Sequence, residues 1–263
     1  MRASPSCGAT RAARASRSNA WTAPFRAYSP VNIWALYAQA YCTKYGVSEE
    51  QLGAVAVNGR RWSALNPNAI YRDPISIDDY MAARMISTPM RLFDCDTHID
   101  GSTAILLSAK DASVGNGRAP IAIEAVGMGL GGLGIGLHEG DFTMLPGARR
   151  AGDMLWGRTD LKPSDIDLAQ IYDGFSILSL MWLEAVGLCG PGEAPAMFAD
   201  NAAMPLNTSG GQLSAGRFHG YGHIYEACRQ LWGDTGERQV ARHQSCLVTN
   251  GGYGYGAMIL RRG

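Results

Sequence analysis

Apolar residues recur at helical spacing over several parts of the chain, and this pattern predicts its helices. Between residues 31 and 45 apolar side chains return every three or four positions, and Gly46 follows as a helix stop. Ser48 and Gln51 then have the spacing of a capping box, which starts a second helix. The predicted helices cover residues 31–45, 48–58, 77–85, 145–156, 175–186 and 221–231.

Short continuous apolar runs lie between these helices and predict strands. Such runs, bounded by proline, glycine or polar residues, are typical of strands buried in a sheet. The predicted strands cover residues 102–108, 121–126, 167–172, 245–250 and 256–260. Strands and helices alternate in the second half of the chain, which predicts an α/β fold with helices packed on a mixed sheet.

Residues 127–136 hold six glycines in ten positions. Glycine weakens helices and strands, so we interpret this stretch as a flexible connection between two domains. Gly127, Gly129 and Gly132 also match the spacing of a dinucleotide-binding loop, but no amphipathic helix follows at once, so we predict no such site. The expected organisation is a leader at residues 1–20, an N-terminal part at 21–138 and a C-terminal domain at 139–263.

The amino-acid composition limits which kinds of ligand, metal or membrane the protein is expected to bind. Lys and Arg number 23 and Asp and Glu also 23, so no charge excess favours nucleic acid or an anionic membrane. The six cysteines are scattered, without metal-binding spacing, and no apolar run reaches the ~18 residues of a spanning helix. We therefore expect a cytoplasmic protein with neither a metal site nor a membrane span.

Residues 1–20 are rich in Arg, Ala and Ser and contain no acidic residue. This composition is shared by transit peptides, unstructured tails and out-of-frame starts, and the sequence leaves these alternatives open. We exclude the segment from the fold.

Three polar or glycine-rich loops follow predicted strands of the second half, where open α/β sheets place their ligands. The first contains Tyr172 and Asp173. The second runs from Asn207 through Gly210 to His223, and the third follows Asn250. We expect the folded sheet to bring the three loops together around one substrate.

The loops and their order resemble the thiolase superfamily, in particular its lipid-transfer (sterol-carrier) branch. The resemblance extends over about residues 21–260, and its motifs are residues 66–69, 89–95, 100–104, 165–169 and the Pro-Leu-Asn-Thr-Ser-Gly-Gly loop at 205–211. It implies a layered α/β/α fold with a nearly complete C-terminal domain and a truncated N-terminal domain. It also implies an acyl-CoA substrate, with coenzyme A as part of the substrate and no bound cofactor.

The sequence departs from the usual thiolase pattern at the reactive positions. The segment that carries the family's nucleophilic cysteine is absent, and Cys95 and Cys246 lie outside the contexts of the family's two reactive cysteines. Tyr172 replaces an Asn or His, and Arg217 stands where the thiolase histidine would be. Condensation by a cysteine pair is therefore not expected, because the thiolate nucleophile is missing.

Tyrosines and histidines remain, and these suit proton transfer at a hydroxyl or carbonyl. This set resembles the thiolase-like aldolases that cleave steroid side chains from CoA thioesters with a small OB-fold and zinc-ribbon partner. The resemblance implies Tyr172 and Tyr221 as acid/base candidates, positioned by Asp173, His219 and His223. It further implies a homodimer in the full-length form.

Other loop residues are candidates for substrate binding, since consecutive glycines let backbone amides approach a thioester oxygen. The predicted substrate-binding residues are Asn207, Ser209, Gly210, Gly211, Arg217, Asn250, Gly251 and Gly252.

Several readings stay open. Arg217 can bind a CoA phosphate or pair with a carboxylate, and Tyr172 can be a packed residue at the edge of a sheet. His219 and His223 would share one helix face, but no carboxylate completes a zinc motif. The chain as a whole can also be a non-catalytic acyl-CoA or lipid-binding subunit, or an unstable fragment.

Overall fold

The computed structural model describes residues 23–27, 29–109, 118–131, 141–200, 204–252 and 254–263. Its helices are α1 Pro30–Tyr45, α2 Glu49–Ala64, α3 Ile77–Ala82, α4 Pro146–Trp156, α5 Ser176–Ala185, α6 Ala194–Ala199, α7 Gly211–Ser214 and α8 Tyr221–Trp232. Its strands are β1 Met85–Ser87, β2 Met90–Arg91, β3 Ile121–Leu130, β4 Leu168–Gln170, β5 Ser245–Asn250 and β6 Gly254–Arg262.

A mixed sheet with the order β3-β6-β5-β4 forms the centre of the fold. Strands β4 and β5 are parallel, whereas β6 runs antiparallel to both of its neighbours. Leu206 extends the sheet beyond β4 through a parallel bridge to Ala169. The mixed sheet predicted from the alternation of elements is confirmed.

Helices cover both faces of this sheet, because successive residues of β5 point in opposite directions. Leu247 enters the larger core, which also contains apolar residues of α1, α4 and α5. Cys246 and Val248 enter a smaller core on the other face, closed by Ala227 and Leu231 of α8. The result is the predicted layered α/β/α arrangement.

The glycines of β3 correct one prediction. Gly127 and Gly129 lie within a strand and not in a flexible connection, while residues 132–136 of the predicted connection lie outside the described residues. A Cβ atom on Gly127 would lie 1.9 Å from the carbonyl oxygen of Ala151, and one on Gly129 would lie 2.0 Å from that of Gly147. The glycines therefore let the backbone of α4 rest directly on the strand, which the sequence pattern alone does not reveal.

The predicted strand at residues 102–108 is also wrong, because these residues form no strand. Leu106 and Leu107 are 80% and 73% exposed. An apolar run becomes a strand only beside another strand that accepts its hydrogen bonds, and within the described ranges no strand pairs with it. The leader at residues 1–20 and the predicted domain boundary at 138–139 lie outside the described residues.

The predicted start of α2 is confirmed, with reciprocal bonds between Ser48 and Gln51. The helix runs past the predicted end at residue 58 to Ala64. Gly59 lies inside it, where a Cβ atom would come within 3.0 Å of the carbonyl oxygen of Gly210. A glycine that looks like a helix stop is thus a site of close packing against a loop.

Across the described part of the chain, no helix combines the length and the hydropathy that crossing a membrane requires.

Candidate active site

Three loops leave the same edge of the sheet, because β4, the bridge at Leu206 and β5 all run parallel. The first loop is residues 171–175, the second is residues 207–220 and the third is residues 250–252. The carboxyl ends of parallel strands are where open α/β sheets bind ligands. The contacts below hold these loops against one another, as the sequence predicts.

Asp173 joins the first loop to the second. Its carboxylate accepts hydrogen bonds from the backbone N–H groups of Gln212, at 2.8 Å, and Leu213, at 3.4 Å. Gly211 packs so closely that a Cβ atom there would lie 1.9 Å from Oδ2 of Asp173, and its φ of +64° also favours glycine. Asp173 and Gly211 therefore fix the distance between the two loops.

His223 of α8 lies behind this junction. Its Nε2 atom is 3.0 Å from Oδ1 of Asp173, and each side chain is only 2% exposed. The ring N–H is not aligned for a hydrogen bond at this distance, and Nδ1 has no partner among the described residues. Both groups are buried, which favours the positioning role that the resemblance implies for them over direct contact with a substrate.

Tyr172 lies half-buried where β4 ends. Its backbone N–H donates to Oγ1 of Thr249 at 2.9 Å, so the first loop is tied to the end of β5. Burial raises the pKa of the Tyr172 phenol, while the amide of Gln212 and the positive charge of Arg217 act in the opposite direction. A phenol with a raised pKa carries its proton at neutral pH and can act as an acid.

Tyr221 and His219 lie at the start of α8, and both are exposed. Gly220 between them has a φ of +87°, and a Cβ atom there would lie 2.4 Å from Oδ1 of Asn250. The second and third loops therefore touch at Gly220 and Asn250. This contact leaves the side chains of Tyr221, His219 and Asn250 on the solvent side of the junction.

Asn207, one of the predicted substrate-binding residues, has its side chain bonded to the backbone of the first loop. It is 1% exposed, its Nδ2 donates to the carbonyl oxygen of Ile171 and its Oδ1 accepts from the Ile171 N–H. The side chain thus satisfies the backbone N–H and C=O groups of Ile171, just beyond the end of β4. Ser209 is also engaged locally, since its hydroxyl accepts a bond from the N–H of Gly211 at 3.3 Å.

Packing also explains the remaining glycines. A Cβ atom on Gly210 would lie 2.5 Å from Cβ of Ser63, and one on Gly251 would lie 1.8 Å from the carbonyl oxygen of Gly254. Gly252 is buried against Trp34 in the same way. Their identity as glycine therefore gives no support to the predicted contact with a thioester oxygen.

Asp96 is a site residue that the sequence did not indicate. It accepts a bond from Nη1 of Arg217 at 3.3 Å, and the two side chains are 8% and 27% exposed. Burial raises the pKa of Asp96 to about 6, although the charge of Arg217 opposes the shift. Arg217 thus pairs with a carboxylate, one of the two alternatives that the sequence left open.

A buried polar network supports α8 under the second loop. The guanidinium of Arg238 contacts both carboxylate oxygens of Glu226, and the two side chains are 5% and 1% exposed. The hydroxyl of Thr208 donates to Glu226 at 2.9 Å, and Gln230 completes the set. Breaking such a buried pair is costly, so this network holds the loop and the helix in one arrangement.

The described cysteines are unsuited to nucleophilic attack. Burial raises the pKa of Cys42 and Cys228 to about 11 and that of Cys95 and Cys189 to about 12. Cys246 is fully buried, and its pKa is raised well above the ordinary value. The thiols are therefore protonated at neutral pH, and Cys7 lies outside the described residues.

No group of three or more His, Cys, Asp or Glu side chains in the described ranges is arranged to hold a metal ion.

Comparison with known proteins gives a consistent result. Residues 137–260 match the thiolase C-terminal domain-like family. The chain is 34% identical over 242 residues to the 17-hydroxy-3-oxo-4-pregnene-20-carboxyl-CoA lyase of Mycobacterium tuberculosis, covering 89% of this chain and 62% of that protein. It is also 34% identical over 245 residues to the steroid side-chain-cleaving aldolase of Thermomonospora curvata, covering 90% and 62%.

A solved structure described as the Ltp2-ChsH2(DUF35) aldolase has the same fold, with a TM-score of 0.88 and 32% sequence identity. The match covers 95% of this chain and 68% of that one. The chain thus spans about 62% of the length of the two curated relatives.

Proposed function

This chain belongs to the thiolase superfamily, and from that premise we propose that it takes part in retro-aldol cleavage of a β-hydroxyacyl-CoA thioester with a steroid or other lipid side chain. The observation that carries the proposal is Tyr172. Tyr172 lies half-buried at the carboxyl end of β4, where the positive charge of Arg217 acts on its phenol, while the described cysteines are protonated thiols. This site is suited to moving protons and not to forming a covalent acyl-enzyme.

In the proposed reaction a base removes the proton of the β-hydroxyl group. The β carbon, which carries this hydroxyl group, becomes a carbonyl carbon, and the bond between the α and β carbons breaks. Its electron pair passes to the thioester, which becomes an enolate, and an acid then protonates the α carbon. Nothing is oxidised or reduced, and the proton lost from the hydroxyl is balanced by the one gained at carbon.

We assign the acid role to Tyr172, because its raised pKa keeps the phenol protonated before the reaction. Tyr221 is 56% exposed, so it can first give its own proton to water, and we assign it the base role, in which its phenolate oxygen accepts the proton of the β-hydroxyl group. His219 and Asn250 are also exposed, and we assign them to the path by which the substrate approaches. Coenzyme A enters as part of the substrate and needs no separate cofactor.

The two curated relatives support the choice of substrate by their names, one a carboxyl-CoA lyase and the other a steroid side-chain-cleaving aldolase. The matching structure is described by two names, Ltp2 and ChsH2(DUF35), which supports a partner protein for this chain as well. We propose that the partner is a small OB-fold and zinc-ribbon protein and that the full-length form is a homodimer in the cytoplasm.

The test is turnover of steroid β-hydroxyacyl-CoA thioesters by the purified protein, with and without the partner. Tyr172→Phe should lower kcat by roughly 10²-fold or more, since general acid catalysis contributes about 10²–10⁴-fold. Tyr221→Phe should lower it as well. Tyr225→Phe is the matched control, because Tyr225 is exposed one turn further along α8 and should leave kcat unchanged.

Absence of turnover in every combination, with the thioester still bound, would favour a non-catalytic acyl-CoA-binding subunit. Equal rates in Tyr172→Phe and Tyr225→Phe would remove Tyr172 from the mechanism.

A further inference from the structure

A short segment of the chain, residues 95–97, lies between the first and second loops of the site. The backbone N–H of Asp96 donates to the carbonyl oxygen of Gly174, at 3.4 Å, and that of Thr97 donates to Gln212, at 3.2 Å. The N–H of Arg217 donates to the carbonyl oxygen of Thr97 at 2.9 Å. These bonds hold the segment in place from both sides and set the positions of Asp96 and Arg217.

Only one nitrogen of the Arg217 guanidinium is used in the pair with Asp96. Nη1 lies 3.3 Å and 3.5 Å from the two carboxylate oxygens. Within the described residues no hydrogen bond uses Nε or Nη2, and the side chain is 27% exposed. An arginine presents five donors in a fixed fork, so a second acceptor can be bound without releasing the first.

The hydroxyl of Tyr172 lies against Gly174, because a Cβ atom built there would come within 3.1 Å of it, and the carbonyl oxygen of Gly174 accepts the bond from Asp96. This contact places the phenol beside the segment that carries Asp96, the partner of Arg217. Once the phenol has given up its proton, its oxygen carries a full negative charge in a half-buried site, where desolvation is costly. Asp96 and Asp173 each make that charge less favourable, whereas Arg217 offsets it. Among the charges of the described residues that act on this phenol, the two carboxylates oppose the phenolate and Arg217 favours it.

We propose that Arg217 binds and stabilises the phenolate of Tyr172 during turnover, and that Asp96 is the positioning residue that holds Arg217 for this task. The catalytic part of the proposal rests on the retro-aldol function above, whereas the pairing itself does not. Asp96 acts through Arg217 and does not face the reacting atoms, since it is 8% exposed.

Other titratable groups lie near Arg217 and Tyr172. His98 lies near Asp96 and favours its ionised form, while His223 contacts Asp173, the neighbour of Tyr172 in the chain. These groups belong to three separate segments of the chain. A test must therefore read the ionisation of Tyr172 itself, because a pH profile of activity would combine all of them.

A fluorinated tyrosine placed at position 172 provides that reading. Its phenol ionises closer to neutral pH than tyrosine does, and its fluorine resonance reports the ionisation without substrate. Arg217→Met should raise the pKa of the probe by about one unit, the size expected for loss of a partly screened charge at close range. Arg217→Lys should restore part of the shift, because a charge returns without the fork.

Asp96→Asn should move the pKa of the probe in the opposite direction. The amide oxygen can still accept the bond from Nη1, while the negative charge that opposes the phenolate is gone. Arg242→Met is the matched control, because this arginine is 75% exposed and pairs with Asp167 at the opposite edge of the sheet. It should leave the titration unchanged.

An unchanged titration in folded Arg217→Met protein would falsify the pairing, as would a shift of equal size in Arg242→Met. Because the readout needs no substrate, the two proposals can fail separately. A shifted titration without turnover of any thioester supports the pairing and rejects the proposed reaction. If the parent protein turns over a thioester but Arg217→Met leaves the titration of the probe unshifted, the proposed reaction stands and the pairing is rejected.

Discussion

Replacing Gly127 by alanine tests the contact between β3 and α4. The added Cβ atom would lie 1.9 Å from the carbonyl oxygen of Ala151 and 2.7 Å from the backbone nitrogen of Leu155. Both neighbours are backbone atoms of a helix, so neither can rotate away. To bring the contact to 3.0 Å, below which such contacts are essentially never seen, the helix must move by about 1 Å.

Moving a packed helix costs about 1–3 kcal/mol, and the absence of any flexible neighbour favours the upper end of this range. Alanine also reduces the freedom of the unfolded chain, which offsets about 0.5–1 kcal/mol. Gly127→Ala should therefore lower the free energy of unfolding by about 2 kcal/mol. Gly256→Ala is the matched control, because Gly256 lies on the adjacent strand with no atom within 4 Å of the added Cβ.

Urea unfolding followed by circular dichroism measures both variants. We expect Gly256→Ala to be neutral or slightly more stable than the parent, so the two variants should differ by about 2–3 kcal/mol at an unchanged dependence on urea. If the two variants unfold within about 0.5 kcal/mol of each other, the strand does not bear directly on the helix and the packing argument is wrong.

Two further predictions concern stability and local exchange. Burial raises the pKa of Asp94 and of Asp96 to about 6, so each favours the folded protein in its protonated form. The stability that they contribute is present below about pH 4 and is lost as the pH rises to 6, and Asp94→Asn should flatten this fall in urea titrations at several pH values. Residues 102–108 should exchange their amide hydrogens within seconds, whereas β5 stays protected, as hydrogen–deuterium exchange will show. Protection of 102–108 comparable to that of β5 would mean that another strand pairs with them.

Helical periodicity predicted most of the helices, because apolar residues spaced three or four positions apart form the buried face of a helix. The helix at residues 31–45 is α1, and the helix at 221–231 is α8 with one further residue. Glycines are less informative, since the same residue serves as a stop, a flexible hinge or a site of close packing. Gly59 and Gly127 both belong to the last class, and only the neighbouring backbone distinguishes it from the others.

The location of the candidate site could be predicted from the sequence, because open α/β sheets bind ligands at the carboxyl ends of their strands. The first and third loops were located because Tyr172 and Asn250 end predicted strands, whereas the acid/base role of Tyr172 came from the family resemblance. Asp96 was missed for a physical reason: its role depends on Arg217, which lies 121 positions away in the chain, and a buried carboxylate has no local pattern. The bonds between Asn207 and Ile171 had no local signal for the same reason, because Ile171 lies 36 positions away in the first loop.

Burial divides the residues of the three loops into two groups with different tasks. Asp173 and His223 are each 2% exposed and contact one another, and the carboxylate of Asp173 holds the first loop to the second. Tyr172, Arg217 and Tyr221 keep part of their surface open, so these side chains can reach a substrate. A change in the first group should alter the geometry of the site and the stability together, whereas a change in the second should alter proton transfer in a protein that still folds. Kinetics interpreted without a measurement of unfolding would confuse the two.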